Sequence, residues 1–155
     1  MAAPSSGTTT SIQWFIQLVH GGPLTIPSAR LELELLFRTS LPGLQVVSEQ
    51  VWLDTGAPLS IIPFHVHNGR LDWTLVPGIQ LSWAGQPCDL GTIEIWLRTG
   101  QSPSPQGPFL LLAKFPRSDP PGSPVPILLG LEFFLSRQAG LTLPPAPQPG
   151  VLQLP

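Results

Sequence analysis

Val51-Trp52-Leu53-Asp54-Thr55-Gly56-Ala57-Pro58-Leu59-Ser60-Ile61-Ile62 is the stretch on which this sequence turns. An apolar run leads straight into an acid, a hydroxyl and a glycine, and a second apolar run starts at Leu59. That pattern describes a strand ending in a tight turn, with a carboxylate delivered at the strand's end. Upstream, Arg30–Phe37 alternates Leu31, Leu33, Leu35 and Phe37 with Glu32 and Glu34, so the segment reads as a strand with one buried face and one wet face. Leu41-Pro42-Gly43 marks a turn, and Leu44–Leu53 is the strand that carries the chain to Asp54. Ile12–Val19 reads as a further strand.

Downstream, Ile79–Trp83 and Thr92–Leu97 flank Ala84-Gly85-Gln86-Pro87, which predicts a β-hairpin with its turn near Gly85, projecting as a movable arm. The apolar strand Phe109–Phe115 separates two proline-rich loops, Gln101–Pro108 and Pro116–Pro126, which read as surface segments peripheral to any chemistry. A second apolar strand, Val125–Leu129, closes on Gly130. Leu131–Gln138 carries the one helical spacing, with Arg137 and Gln138 suited to a last turn and Gly140 to its end.

Composition agrees with an all-β protein. At 155 residues the chain suits a single domain with one core. Charged residues are 10%, against about 25% in ordinary domains, while 21 Pro and 15 Gly favour turns and short extended pieces over long helices. Residues 1–11 are small and polar and read as a flexible N-terminal segment. Residues 12–143 form the domain, and 144–155 form a proline-rich tail in which Val151–Leu154 is a candidate interface strand. Net charge is −2, and the seven Lys and Arg are scattered singly, so nothing here is built to neutralise a phosphate backbone and no nucleic-acid partner is expected. A lone Cys88 rules out an internal disulfide and a multi-cysteine zinc site, and an inert thiol is expected. No secretory leader and no membrane-length apolar run is visible, which reads as a cytoplasmic protein without a membrane partner.

Taken together, the acid motif Asp54-Thr55-Gly56, the hairpin, and the strand Ile127-Leu128-Leu129-Gly130 followed by a helix closely resemble the retropepsin-like aspartic proteases over roughly Arg30–Leu143. The resemblance implies a closed, mostly antiparallel acid-protease barrel with one short C-terminal helix. It also implies roles. Asp54 is the catalytic acid, Thr55 its hydroxyl-bearing support across a dimer, and Gly56 the close-packed turn residue. Leu129 and Gly130 form the second motif passing behind the site, and Ala57, Trp83, Ala84, Gly85 and Gln86 are candidate substrate-binding positions.

The chemistry can be argued without the family. Hydrolysing an amide without metal, cofactor or covalent nucleophile needs one group to activate water and another to protonate the substrate, and two carboxylates do both. Charges ~4 Å apart repel by ~4 kcal/mol at an effective dielectric near 20, or ~3 pKa units, so such a pair keeps one proton between them. The chain has four Asp (Asp54, Asp72, Asp89, Asp119), and only Asp54 sits between an apolar strand and a small-residue turn. The second carboxylate must therefore come from a second copy, making a homodimer with an inactive monomer and an extended polypeptide as substrate.

Some positions depart from the retroviral pattern. Leu131 stands where such enzymes commonly carry Arg, so apolar packing is expected to brace the acid loop in place of an ion pair. Ala57 offers no hydroxyl to the carboxylate, which predicts a weakly acidic to near-neutral optimum. The hairpin has one tip glycine, Gly85. The missing arginine and the single tip glycine keep open an alternative, a catalytically inactive dimerisation or peptide-binding module of the same fold, against which the intact Asp54-Thr55-Gly56 argues. His65 and His67 would share one face if extended, but without a third ligand a structural role is favoured over metal binding. Trp83 and Trp96 flank the hairpin, where cross-strand packing is favoured over a substrate groove.

Overall fold

A computed structural model of the chain describes residues 8–21, 24–98, 103–122, 124–142 and 148–154, with side chains described from Leu31 onward. Among the described residues, ten strands and two short helices follow in the order β1 (Thr8–Gly21), β2 (Leu24–Arg38), β3 (Val46–Asp54), β4 (Ser60–Ile61), α1 (Phe64–His67), β5 (Trp73–Trp83), β6 (Gln86–Leu97), β7 (Gln106–Pro116), β8 (Ile127–Gly130), α2 (Leu131–Ser136), β9 (Gly140–Thr142) and β10 (Gly150–Leu154). The all-β expectation holds. No helix among the described residues is long and apolar enough to cross a membrane.

The strands form one sheet in the order β5-β6-β7-β4-β8-β3-β2-β1-β10-β9, and an additional β6–β2 pairing closes six of them into a barrel. The ring therefore runs β2, β6, β7, β4, β8, β3. It closes through Leu35↔Leu97, Leu36↔Trp96 and Phe37↔Ile95. Two pairings in the ring, β3–β8 and β4–β7, are parallel, and the others are antiparallel.

Alternation explains why these segments are strands. Along β6, Cys88, Leu90, Ile93, Ile95 and Leu97 are buried while Asp89, Thr92, Glu94 and Trp96 are partly exposed. Along β2, Leu33, Leu35 and Phe37 are buried and Glu32 and Glu34 are partly exposed, as the two-residue period requires. Of these inward residues, Leu33, Leu35, Phe37, Ile93, Ile95 and Leu97 meet Val51, Leu111, Phe115, Leu129 and Phe133 in a single core. Each fully buried Phe or Leu contributes about 1.5–3 kcal/mol relative to exposure.

Gly91 makes room for a stacked aromatic pair. A Cβ there would lie 2.5 Å from Trp73 Cε3, and in its absence Trp73 stacks on Phe115 with ring centroids 4.0 Å apart.

Several boundaries differ from those expected. Thr8–Ser11 are not a free leader but belong to β1, because β10 pairs with them from Thr8↔Leu154 to Ser11↔Val151. β10 also pairs with β9, so both its edges are covered by its own chain. The rest of the expected flexible leader and most of the proline run lie outside the described residues. His65 and His67 sit on the helical turn α1, not on a strand, so they point to different surroundings. α2 ends at Ser136, and its left-handed terminating residue is Gln138 (φ +50°), not Gly140, which opens β9.

Candidate active site

Asp54 is the last residue of β3, and its partner in the parallel β3–β8 ladder is Gly130. Beyond it the chain reverses in a turn closed by Ala57 N–H donating to the Asp54 carbonyl at 3.2 Å. Within that turn the Gly56 N–H donates to Asp54 Oδ1 at 2.9 Å, which fixes the carboxylate against its own loop. A Cβ on Gly56 would lie 3.1 Å from the same oxygen, so glycine keeps that approach open. Thr55 and Gly56 are exposed and Asp54 is partly exposed, so the acid end of the loop faces outward.

The loop is held from behind by α2 and by one buried hydroxyl. Leu131 N–H donates to the Ala57 carbonyl at 2.8 Å, and Glu132 N–H to the Pro58 carbonyl at 3.0 Å. These are first-turn amides that have no partner within their own helix. Gly130 N–H donates to Ser60 Oγ at 2.9 Å, and Ser60 is fully buried. The strand passes so close that a Cβ on Gly130 would lie 2.4 Å from the Leu59 carbonyl carbon. The apolar brace expected of Leu131 is not what holds the loop, for that side chain is 36% exposed and the bracing comes from backbone amides.

Ala57 is buried, with its N–H and carbonyl both committed to this turn. Asp54, Thr55, Gly56, Ala57, Leu129 and Gly130 are thus brought together as two crossing segments. The hairpin residues lie on a separate element.

That hairpin, β5–β6, turns near Gly85 as expected, but through two residues only, Ala84-Gly85, with φ of +47° and +76° and Trp83↔Gln86 as the closing pair, so that Gln86 and Pro87 already belong to β6. It is not a free arm. β6 is paired to β7 from Leu97↔Gln106 to Cys88↔Pro116, so only the last residues pass beyond the ladder. Lys114 links this hairpin to the acid loop's continuation: its backbone pairs with Ile61, and its Nζ donates to the Ser82 carbonyl at 3.0 Å.

The two histidines of α1 have structural partners. His67 is buried, its Nε2–H donates to the Pro116 carbonyl at 2.9 Å, and its ring stands edge-on to Phe64, Trp73 and Phe115. Burial holds it below its usual pKa, outweighing the carbonyl bond that favours the charged form. His65 is exposed and bonds Asp119 Oδ2 through Nδ1 at 2.9 Å. Burial raises the Cys88 thiol, as an inert cysteine requires. Trp96 lies under the Arg38 guanidinium at 5.7 Å and helps line a cavity of about 280 Å³ with Leu36, Val46 and Pro105, at the end of β3 opposite Asp54.

The loop after β7 was expected to be peripheral. In the fold its residues reach both α1 and the hairpin, a role invisible in sequence because its partners lie 28 to 55 positions away. The chain matches no protein-family model and no curated protein.

Proposed function

We propose that this chain is a retropepsin-like aspartic endopeptidase that works as a homodimer, with two Asp54 carboxylates sharing a proton and activating one water. The observation that carries the reading is the crossing at the acid. Asp54 ends β3 opposite Gly130, its carboxylate is fixed by Gly56 N–H, and the loop faces outward from a support of α2 amides. A carboxylate presented on a rigid, glycine-lined turn suits a reaction in which a second, identical carboxylate must approach it. In that dimer Thr55, exposed beside Asp54, fixes the spacing of the acids through its hydroxyl. The substrate is an extended polypeptide, held beneath Trp83, Ala84, Gly85 and Gln86 with its backbone paired and its side chains in alternating pockets.

The test is incubation of the purified chain with unfolded protein, with and without a statine-type transition-state mimic. Cleavage blocked by the mimic is expected, as is its loss in Asp54→Asn, whose sedimentation should still be that of a dimer. Cleavage by Asp54→Asn would remove Asp54 from the mechanism. Peptide binding without any cleavage would favour the inactive binding module.

A further inference from the structure

Three consecutive residues leaving β7 grip two separate elements. Arg117 binds Asp89 on β6 through a forked contact, Nη2 at 2.7 Å and Nε at 3.2 Å, and its backbone N–H donates to the Pro87 carbonyl at 3.0 Å. Ser118 Oγ donates to Gln86 Oε1 at 2.6 Å, at the hairpin tip. Asp119 turns the other way: its carboxylate accepts from Phe64 N–H at 2.8 Å and His65 N–H at 3.0 Å, and bonds the His65 ring. The loop is thereby anchored on α1 at one end and holds the hairpin at the other.

Beyond the turn itself, the other holds on the hairpin here are Lys114 Nζ on the Ser82 carbonyl at 3.0 Å and the buried Cys88 and Leu90 at the base of the tip. Its β6 strand leaves the β7 ladder at Cys88, and β5 is the edge strand of the sheet. A bulge between Leu75 and Gln80 interrupts the β5–β6 register, and Leu75 and Ile79 are 52% and 44% exposed. A hollow of about 330 Å³ opens between that bulge and the Asp89–Arg117 pair. Where apolar contacts are sparse, a segment opens locally at low cost, and the specific polar ties decide how often it does so.

We propose that Arg117 and Ser118 are positioning residues that hold the hairpin tip Trp83–Gln86 down, and that lifting the tip requires their release from Asp89 and Gln86. The effect on catalysis rests on the protease reading given above, whereas the effect on the hairpin's motion does not.

Hydrogen exchange followed by mass spectrometry on the full chain tests this directly. In Arg117→Ala/Ser118→Ala, exchange of amides over residues 82–90 should rise about tenfold while the strands of the barrel keep their protection. The charge-swapped Asp89→Arg/Arg117→Asp protein should recover most of the protection lost in Arg117→Ala alone. On a peptide substrate the double-alanine protein should show KM raised about five- to tenfold with kcat within about twofold, the mark of lost substrate binding and not of lost chemistry.

Unchanged exchange at the tip would overturn the proposal. So would exchange raised throughout the barrel, which would make the residues merely structural, and so would a swap that restores nothing. If the wild-type chain cleaves no peptide, the protease reading falls while the exchange data still decide the role of the loop.

Discussion

Gly130 faces Asp54 across the parallel ladder, and a methyl group there would lie 2.4 Å from the carbonyl carbon of Leu59. Two segments, one bearing the acid and one behind it, pass each other at a separation that only a missing side chain permits. Gly130→Ala is therefore expected to cost about 1–3 kcal/mol through overpacking, read as a lower urea midpoint. Cleavage should fall with it, since backbone must move to relieve the clash. A midpoint equal to that of the unsubstituted chain would show that the loop has room to spare.

Ser60 gives a complementary test without steric pressure. Its hydroxyl is fully buried and accepts the Gly130 N–H. Ser60→Ala removes the acceptor and leaves a buried donor unpaired, which costs about 1–3 kcal/mol. Chemical denaturation should show this loss. A neutral substitution would mean that the amide finds another partner.

His67 makes stability depend on pH. Its folded pKa lies below the unfolded value of 6.5, so the unfolded chain takes up this proton first. The contribution is complete above about pH 6.5 and declines as pH falls from there toward the folded pKa. Urea midpoints measured from pH 7.5 down to 5 should drop, and His67→Gln, which can still donate to Pro116, should flatten the decline. An equally steep decline in the variant would assign it to another group.

Ala84 holds a left-handed backbone at φ +47° in the hairpin turn, beside Gly85 at +76°. An Asn-Gly pair suits that turn, so Ala84→Asn should stabilise the chain by about 0.5–1 kcal/mol. A higher melting temperature is the expected reading, and a lower one would show that the turn carries no strain.

Local pattern made part of this architecture legible. Leu33, Leu35 and Phe37 face inward because strand period and hydrophobicity agree there, and the Ala84-Gly85 turn is a two-residue signal independent of the rest of the fold. The place of Gly130 behind the acid comes from the family resemblance, whereas the carboxylate at a strand end could also be read from the flanking apolar runs. Contacts between distant segments could not. Thr8–Ser11 become strand only because β10 covers them, and β5 reaches back to Trp73 across Pro77-Gly78, which break its alternation. α1 is a single turn, too short to show a period, with Asp119 supplying the acceptor for its first amides. Leu131 misled for a related reason: its backbone, not its side chain, supports the acid loop.

The placement of β8 between β3 and β4 also bears on biosynthesis. A chain emerging from the ribosome exposes Asp54 long before Ile127–Gly130 have been added, and non-local pairing of this kind forms late. Until then the acid loop has nothing behind it. Unfinished chains therefore lack the wedge that shapes the acid turn.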